Sequence, residues 1–399
     1  MINRLIGMSC LSYIMTGVAL VIIGALLPEL LAKYSLSYGD GGTLVFVQFI
    51  GVLVGVLSMP FVSRKLSRKT SVTLGLLLIS LELFVTLLPP WPVVIAITGI
   101  AGYGAGLVEA SIGTIILLSV KRKVAIAMSK LEVTFGIGAL SMPFIASFLI
   151  IRGWWTYSFL LLGIGCLLTA ALWMRLSFGE LDGMLSLRER KDSVRAARPV
   201  FSKQTFPFLA LCTLFFLGYG GSEVSVVHFF PSLFMEKWGI TSSLAASVVT
   251  FYWVGMVIGR IFCGILAERF TYYRYLAFST AGSLLVLLLL PITSEAWAGF
   301  ALSFLLGLFM SGIFSIALIF TNKALPGMTE QTTSILFACS GLGGSLLPLA
   351  VGITMDGFSV QTAFWLLFGV MSGMMLLLLM AKRRRDSLVH IHPIGYQRQ

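Results

Sequence analysis

Glu109 is the one carboxylate in a long apolar stretch, 92–120, and it follows Gly102-Tyr103-Gly104-Ala105-Gly106. If that stretch crosses a membrane as a helix, a rise of about 1.5 Å per residue sets Glu109 roughly 18 Å from the basic run Lys121-Arg122-Lys123. That is near the middle of a hydrocarbon core about 30 Å thick. A charge there is costly unless it faces protein, water or a partner. Taking up and releasing a proton is the chemistry such a group offers. A neutral Glu hydrogen-bonded inside a bundle is the structural alternative.

Glu223, in Gly218-Tyr219-Gly220-Gly221-Ser222-Glu223, is the second candidate for proton coupling. It is expected in the outer half of its helix, after a Gly-rich stretch able to break that helix. Broken helices at cavities are how transporters expose polar groups. A role in a cavity and a role in helix packing near the outer interface are both open. His228 lies five residues on; it can serve the cavity or sit at the interface. Glu132 with Lys130, near the inner end of the fifth apolar stretch, suits a structural ion pair, a gate or a substrate contact. Glu82 in the third stretch has no companion in sequence and suits a structural or lipid-edge role.

Binding a small polar solute needs amide or carboxylate groups for its hydroxyls and aromatic faces for its C–H side. Gln48, Tyr103, Tyr219, Tyr252 and Trp253 supply those types, although aromatics are also ordinary helix packing. An exporter of apolar drugs would instead want a larger cavity lined by aromatics and Met with one or two acids. The 17 Met and 30 Phe are compatible with that.

The elements that position these residues are membrane spans. Of the residues 58% are hydrophobic and 11% charged, too little charge to cover a soluble surface. Twelve stretches are long enough to cross: 5–31, 41–63, 70–89, 92–119, 126–151, 155–175, 204–231, 242–268, 272–291, 296–321, 331–354 and 360–381. The net charge of +12 does not indicate nucleic acid, because it is placed on one face. Only Lys33, Arg152 and Lys237 fall in loops assigned to the outside, and Arg260 lies within a span. The positive-inside rule then places both termini in the cytoplasm. The N-terminus reads as a retained first span rather than a signal peptide. The basic tail from Lys382-Arg383-Arg384-Arg385 to residue 399 reads as a cytoplasmic stop signal that meets anionic lipid.

One long hydrophilic connection, 176–203, holds Arg188, Arg190, Lys191, Arg195, Arg198 and Lys203 and divides the chain six plus six. The expected domains are 1–175 and 204–381, joined by that linker. Landmarks repeat between the halves. Gly51 through Gly55 aligns with Gly255 through Gly259, Gly136 through Pro143 with Gly341 through Pro348, and Gly17 through Pro28 with Gly220 through Pro231. Parallel six-helix repeats suggest alternating access about a central site. Five cysteines (Cys10, Cys166, Cys212, Cys263, Cys339) lie in apolar spans without a CxxC pair, so no disulfide framework or zinc site is indicated. No nucleotide-binding loop, metal cluster or nucleophile constellation is apparent. The reading is therefore a transporter and not an enzyme, with no cofactor beyond a coupling ion, and a monomer in lipid.

Over essentially its full length the sequence resembles the major facilitator superfamily. That family's loop signature, Gly-x-Leu-Ala-Asp-Arg-x-Gly-Arg-Lys, is partly matched by Gly264-Ile265-Leu266-Ala267-Glu268-Arg269. The first copy, Pro60 through Lys69, keeps the basic end and has Arg64 where the family has an acid. The resemblance implies an inner-face latch, for which Glu268, Arg269 and Arg260 are the gating candidates alongside Glu132 and Lys130. Topogenic charge is the alternative reading.

Gly102 through Glu109, Met128 through Ser141, and Phe251 through Arg260 resemble the bacillar glucose/mannose:proton symporters and the wider fucose–galactose–glucose porter branch. That resemblance implies an acid in the fourth helix that couples to protons, which falls on Glu109. The fifth-helix Gly-Pro of drug exporters is absent, since Met142 precedes Pro143. The expectation is an all-α transporter of twelve membrane helices in two pseudo-symmetric bundles, driving proton-coupled uptake of a sugar or similar polar solute through the plasma membrane. Proton-antiporting export of drugs or metabolites is the alternative. In the expected cycle, Glu109 takes a proton from outside, loses its buried charge as the protein closes around substrate, and releases the proton inward.

Overall fold

The computed structural model describes residues 2–119, 124–179, 205–325 and 328–391. Lys121-Arg122-Lys123 and residues 180–204, with the linker's six basic residues, lie outside the described residues, as does the tail from 392 on.

Thirteen α-helices are described: α1 Ile2–Tyr34, α2 Tyr38–Lys65, α3 Arg68–Ser80, α4 Trp91–Ser119, α5 Val124–Ile151, α6 Tyr157–Arg175, α7 Phe206–Trp238, α8 Ser242–Phe270, α9 Tyr272–Leu289, α10 Ala296–Met310, α11 Ile313–Ala324, α12 Thr329–Gly357 and α13 Val360–Ile391. Together they give twelve stretches long and apolar enough to cross a membrane. In lipid each backbone amide needs an internal partner, which helices this long supply. Their ends are fixed by local chemistry. Ser37 and Asp40 form a reciprocal capping box at the start of α2. Thr241 caps α8, and Gly239 at φ 63° ends α7.

Three features differ from the sequence expectation. The tenth span, expected as one helix over 296–321, is broken at Ser311–Gly312 between α10 and α11. The third span tightens into a 3-10 turn, Leu81–Leu87, after α3. The basic residues expected to open a tail at 382 instead continue α13 to Ile391. There Lys382 lies 4.4 Å from the Tyr273 ring centroid and Arg385 4.9 Å from that of Phe320, so cation–π contact holds this turn against the bundle.

Each half has its own apolar core. One is built mainly from α7 to α13 and the other from α1 to α6. Within each half the helices meet where glycine allows backbones to touch. A side chain at Gly17 of α1 would strike the Phe135 carbonyl of α5, and one at Gly138 would strike that of Ile14. The second half repeats both contacts, Gly220 against Ser340 and Gly343 against Leu217. Gly51 of α2 lies against Gly99 and Tyr103, as Gly255 of α8 lies against Phe304 and Leu308. Gly102 meets Gln48 as Gly307 meets Tyr252. The sequence repeat is therefore a repeat of contacts, residue for residue.

The halves meet along α2·α12 and α5·α8, with α1 crossing α7. They are latched at one end. The backbone N–H groups of Tyr38 and Gly39 donate to the Asp356 carboxylate at 2.7 and 2.5 Å. The Tyr38 hydroxyl donates to Glu236 at 2.5 Å, and Ser242 donates to Glu29. Ser243 donates to the Ser147 carbonyl at 3.1 Å. The positive end of α2 thus faces a carboxylate from the other half, a favourable charge–dipole contact. Asp356→Ala removes two bonds at the exposed rim, each worth about 1 kcal/mol net. A cysteine placed at Ser242, in a background without native cysteines, is then expected to label about tenfold faster with a maleimide in the purified protein.

Candidate functional site

Between the halves, Arg260 of α8 stands 3.9 Å from Glu132 of α5 and 3.9 Å from Glu223 of α7. One guanidinium therefore bridges a carboxylate of each half. Its planar fork suits this double contact, which a lysine would make as a point charge. Glu132 in turn lies within electrostatic reach of Glu109 on α4, and the Tyr13 hydroxyl on α1 lies within reach of both. The Tyr13 hydroxyl also points at the Glu109 carbonyl, 3.5 Å away. A chain of ionisable groups thus runs Glu109, Glu132, Arg260, Glu223 across the partition.

Accessibility along the chain is graded. The side chain of Glu223, halfway along its helix, is 22% exposed, that of Arg260 30%, and that of Glu132, nearest the end away from the latched rim, 59%. Exposure thus rises along the chain from Glu223 to Glu132, toward the end opposite the rim at which the halves are latched.

Aromatic groups support the second half of the chain. The Tyr219 hydroxyl lies near Glu223 and donates to the Met310 carbonyl at 3.3 Å. Tyr252 directs its hydroxyl to the Met310 sulfur at 3.7 Å. Met310 is the last residue of α10, so the break in the tenth span supplies the carbonyl that Tyr219 uses. The Trp253 ring lies 5.9 Å from the Arg260 guanidinium and 6.2 Å from the Phe135 ring. Trp253 Nε1 is buried without a partner among the described residues.

Other sequence candidates lie apart from this chain. Gln48 is buried and donates to the Ala19 carbonyl at 3.0 Å, tying α2 to α1. The Tyr103 hydroxyl accepts from Ser58 at 3.1 Å and ties α4 to α2. His228 is buried in the α1–α7 crossing, with Nδ1 2.9 Å from the Val224 carbonyl and its ring edge-on to Phe49. A side chain at Gly24 would collide with the His228 backbone there. Lys130 is exposed and takes no part in the ion pairs of Glu132 found among the described residues.

Three expectations need correction. Arg260 does not group with Glu268 and Arg269. Those two are exposed at the end of α8, about 12 Å further along the axis, while Arg260 serves the central chain. The glycines before Glu223 do not break α7, which is continuous. Gly220 and Gly221 admit α12, and Gly218 admits Met374 of α13. Of the structural and lipid-edge roles open to Glu82, the lipid-edge one is overturned. Glu82 is fully buried in the 3-10 turn beside Cys166, with neither carboxylate oxygen partnered among the described residues. Tyr13, Met310 and the broken tenth helix are the parts of the site that motif reading misses.

Comparison with known proteins fits this geometry. The sequence profile described as Major Facilitator Superfamily matches residues 9–237 and again 223–392. The chain is 29% identical over 381 residues to the "Glucose/mannose transporter GlcP" of Bacillus subtilis, covering 91% of this chain and 90% of that one. The crystal structure of a D-xylose–proton symporter superposes with a TM-score of 0.76 at 15% identity, covering 95% of this chain and 97% of the other. A bacterial homologue of the human lysosomal transporter Spinster, inward-facing and unoccupied, superposes with a TM-score of 0.74 at 15% identity over 97% of both chains.

Proposed function

The chain belongs to the Major Facilitator Superfamily, and from that premise we propose that it takes up a sugar together with a proton by alternating access. The observation that carries this reading is the Glu109–Glu132–Arg260–Glu223 chain, which joins the halves and grows more exposed away from the latched rim. The glucose/mannose transporter from Bacillus subtilis, similar over nearly its whole length, supports a hexose as the solute.

In the proposed cycle Glu109 and Glu223 carry the coupling. With the outer rim open, a proton on Glu109 cancels a charge that closure would otherwise desolvate. Arg260 then holds Glu132 and Glu223 together across the partition. Release of the proton to the cytoplasm restores the negative charge and favours the next opening. Tyr219, Tyr252 and Trp253 bound the binding space on the α7–α8 side, and the buried indole N–H of Trp253 is available to a sugar hydroxyl. We place the protein in the plasma membrane with both termini cytoplasmic, following the positive-inside pattern.

The test is the pH outside lightly buffered, de-energised cells expressing the protein, on addition of glucose, mannose or galactose. The proposal requires alkalinisation with at least one of them. Silence with all three, alongside hypersensitivity of a deletion strain to toxic compounds, would replace it with export.

A further inference from the structure

Glu82 takes no part in the Glu109–Glu132–Arg260–Glu223 chain, yet it is fully buried and neither of its carboxylate oxygens has a partner among the described residues. The third span fixes its position. α3 ends at Ser80, whose hydroxyl donates to the Leu77 carbonyl at 2.7 Å, and the backbone then tightens into the 3-10 turn Leu81–Leu87. Such a turn eclipses positions i and i+3, so Glu82 and Val85 point inward together, both at 0% exposure.

Glycine closes the third span in from two sides. A side chain at Gly163 of α6 would strike Leu83 and the Ser80 carbonyl, and one at Gly104 of α4 would strike the Gly75 carbonyl and Leu78. Backbones this close leave Glu82 little room to turn out to water. No counter-charge comes to it from the elements packed against the turn, α3, α4 and α6. Arg68 and Lys69 of α3 lie about 20 Å back along the span, and Lys69 donates to the Leu176 carbonyl. On α4, Tyr103 accepts from Ser58 and Glu109 has the same sign as Glu82. On α6, Tyr157 and Arg175 each lie about 13 Å along the axis from Cys166. The Cys166 thiol is the titratable group near Glu82, and it is itself fully buried.

An ionised carboxylate in that place is an unpaired charge in an apolar interior, whereas the neutral acid costs only an unmade hydrogen bond. We propose that Glu82 is a second proton-binding site, separate from the coupling path: its proton lets the third span close against α4 and α6, and loss of that proton at alkaline pH drives these contacts apart. All three helices belong to the first half, so rocking of one half against the other leaves the site closed and its proton in place. The site does not rest on the sugar reading. Its sign follows from linkage: a fold that keeps a proton the unfolded chain gives up loses stability as pH rises. One such proton changes the folding equilibrium about tenfold per pH unit.

The test uses the purified protein in detergent as wild type, Glu82→Gln and Glu109→Gln. Infrared spectra at neutral pH should show a carboxylic-acid C=O band that wild type and Glu109→Gln share and Glu82→Gln lacks. Thermal unfolding followed from neutral to alkaline pH should show wild type losing stability more steeply than Glu82→Gln, by about tenfold in the folding equilibrium per pH unit. Proton-driven glucose accumulation by Glu82→Gln should match wild type. Identical spectra for wild type and Glu82→Gln, or parallel pH profiles, overturn the site. Loss of accumulation in Glu82→Gln overturns it too, by placing the residue in the coupling path. Glu82→Met keeps the volume without polar atoms and is read in the same way if the glutamine variant does not fold. Failure of both to fold at any pH would show that a charge is needed there, against the proposal. If wild type takes up no glucose, the proposed function falls, while the spectra and the unfolding profiles still decide the site.

Discussion

Arg260→Ala is expected to abolish uptake and to weaken the fold, the largest effect of any single substitution in the site. Among the described residues the guanidinium is the cation that pairs with both Glu132 and Glu223, 3.9 Å from each. At that separation the gross attraction to one carboxylate is roughly 4 kcal/mol for an effective dielectric near 20, and less toward Glu132, where water enters. Removing the cation leaves two carboxylates without their shared partner, and the loss falls mainly on Glu223, the less exposed of the two. It also removes the contact through which charge in one half is felt by the other. Arg260→Lys keeps the charge and loses the fork, so an intermediate effect is expected. Initial rates of glucose uptake, paired with thermal unfolding in detergent, separate the two consequences. A further variant, Arg260→Ala with Glu132→Gln and Glu223→Gln, should recover stability without recovering uptake. Recovery of neither would show that Arg260 acts through packing against Trp253.

Glu109→Gln has the second largest expected effect, and its signature is uncoupling rather than inactivity. Glutamine keeps the size and hydrogen-bonding capacity of a protonated carboxyl but cannot release a proton. The variant is therefore held in one charge state of the cycle. For one proton per sugar, a pH gradient of one unit drives about tenfold accumulation. The variant is expected to bring sugar only to equal concentration on both sides. Exchange of labelled for unlabelled sugar needs no net proton movement and should persist. Loss of exchange along with accumulation would make Glu109 a structural or substrate-binding group.

Much of the architecture was legible in the sequence because lipid imposes a simple rule: twelve apolar lengths, short connections and cations on one side. The glycine landmarks were equally legible, and they proved to be the helix contacts themselves. The active constellation was less so. Arg260 stood near Glu268 and Arg269 in sequence and was grouped with them, although about 12 Å of helix separates them. Its real partners come from α5 and α7, a juxtaposition only the tertiary fold creates. Glycines before Glu223 suggested a broken helix, but glycine serves close approach and helix breaking alike. The break lies instead at Ser311–Gly312, in an apolar run with no proline to mark it.

The central claim, proton-driven uptake, is tested most directly with the purified protein in liposomes loaded with alkaline buffer. On dilution into acidic buffer containing labelled glucose, wild type should accumulate sugar above the outside concentration, and Glu109→Gln should only equilibrate it. Equilibration by wild type under the same gradient, or exclusion of sugar from the lumen, would contradict the account.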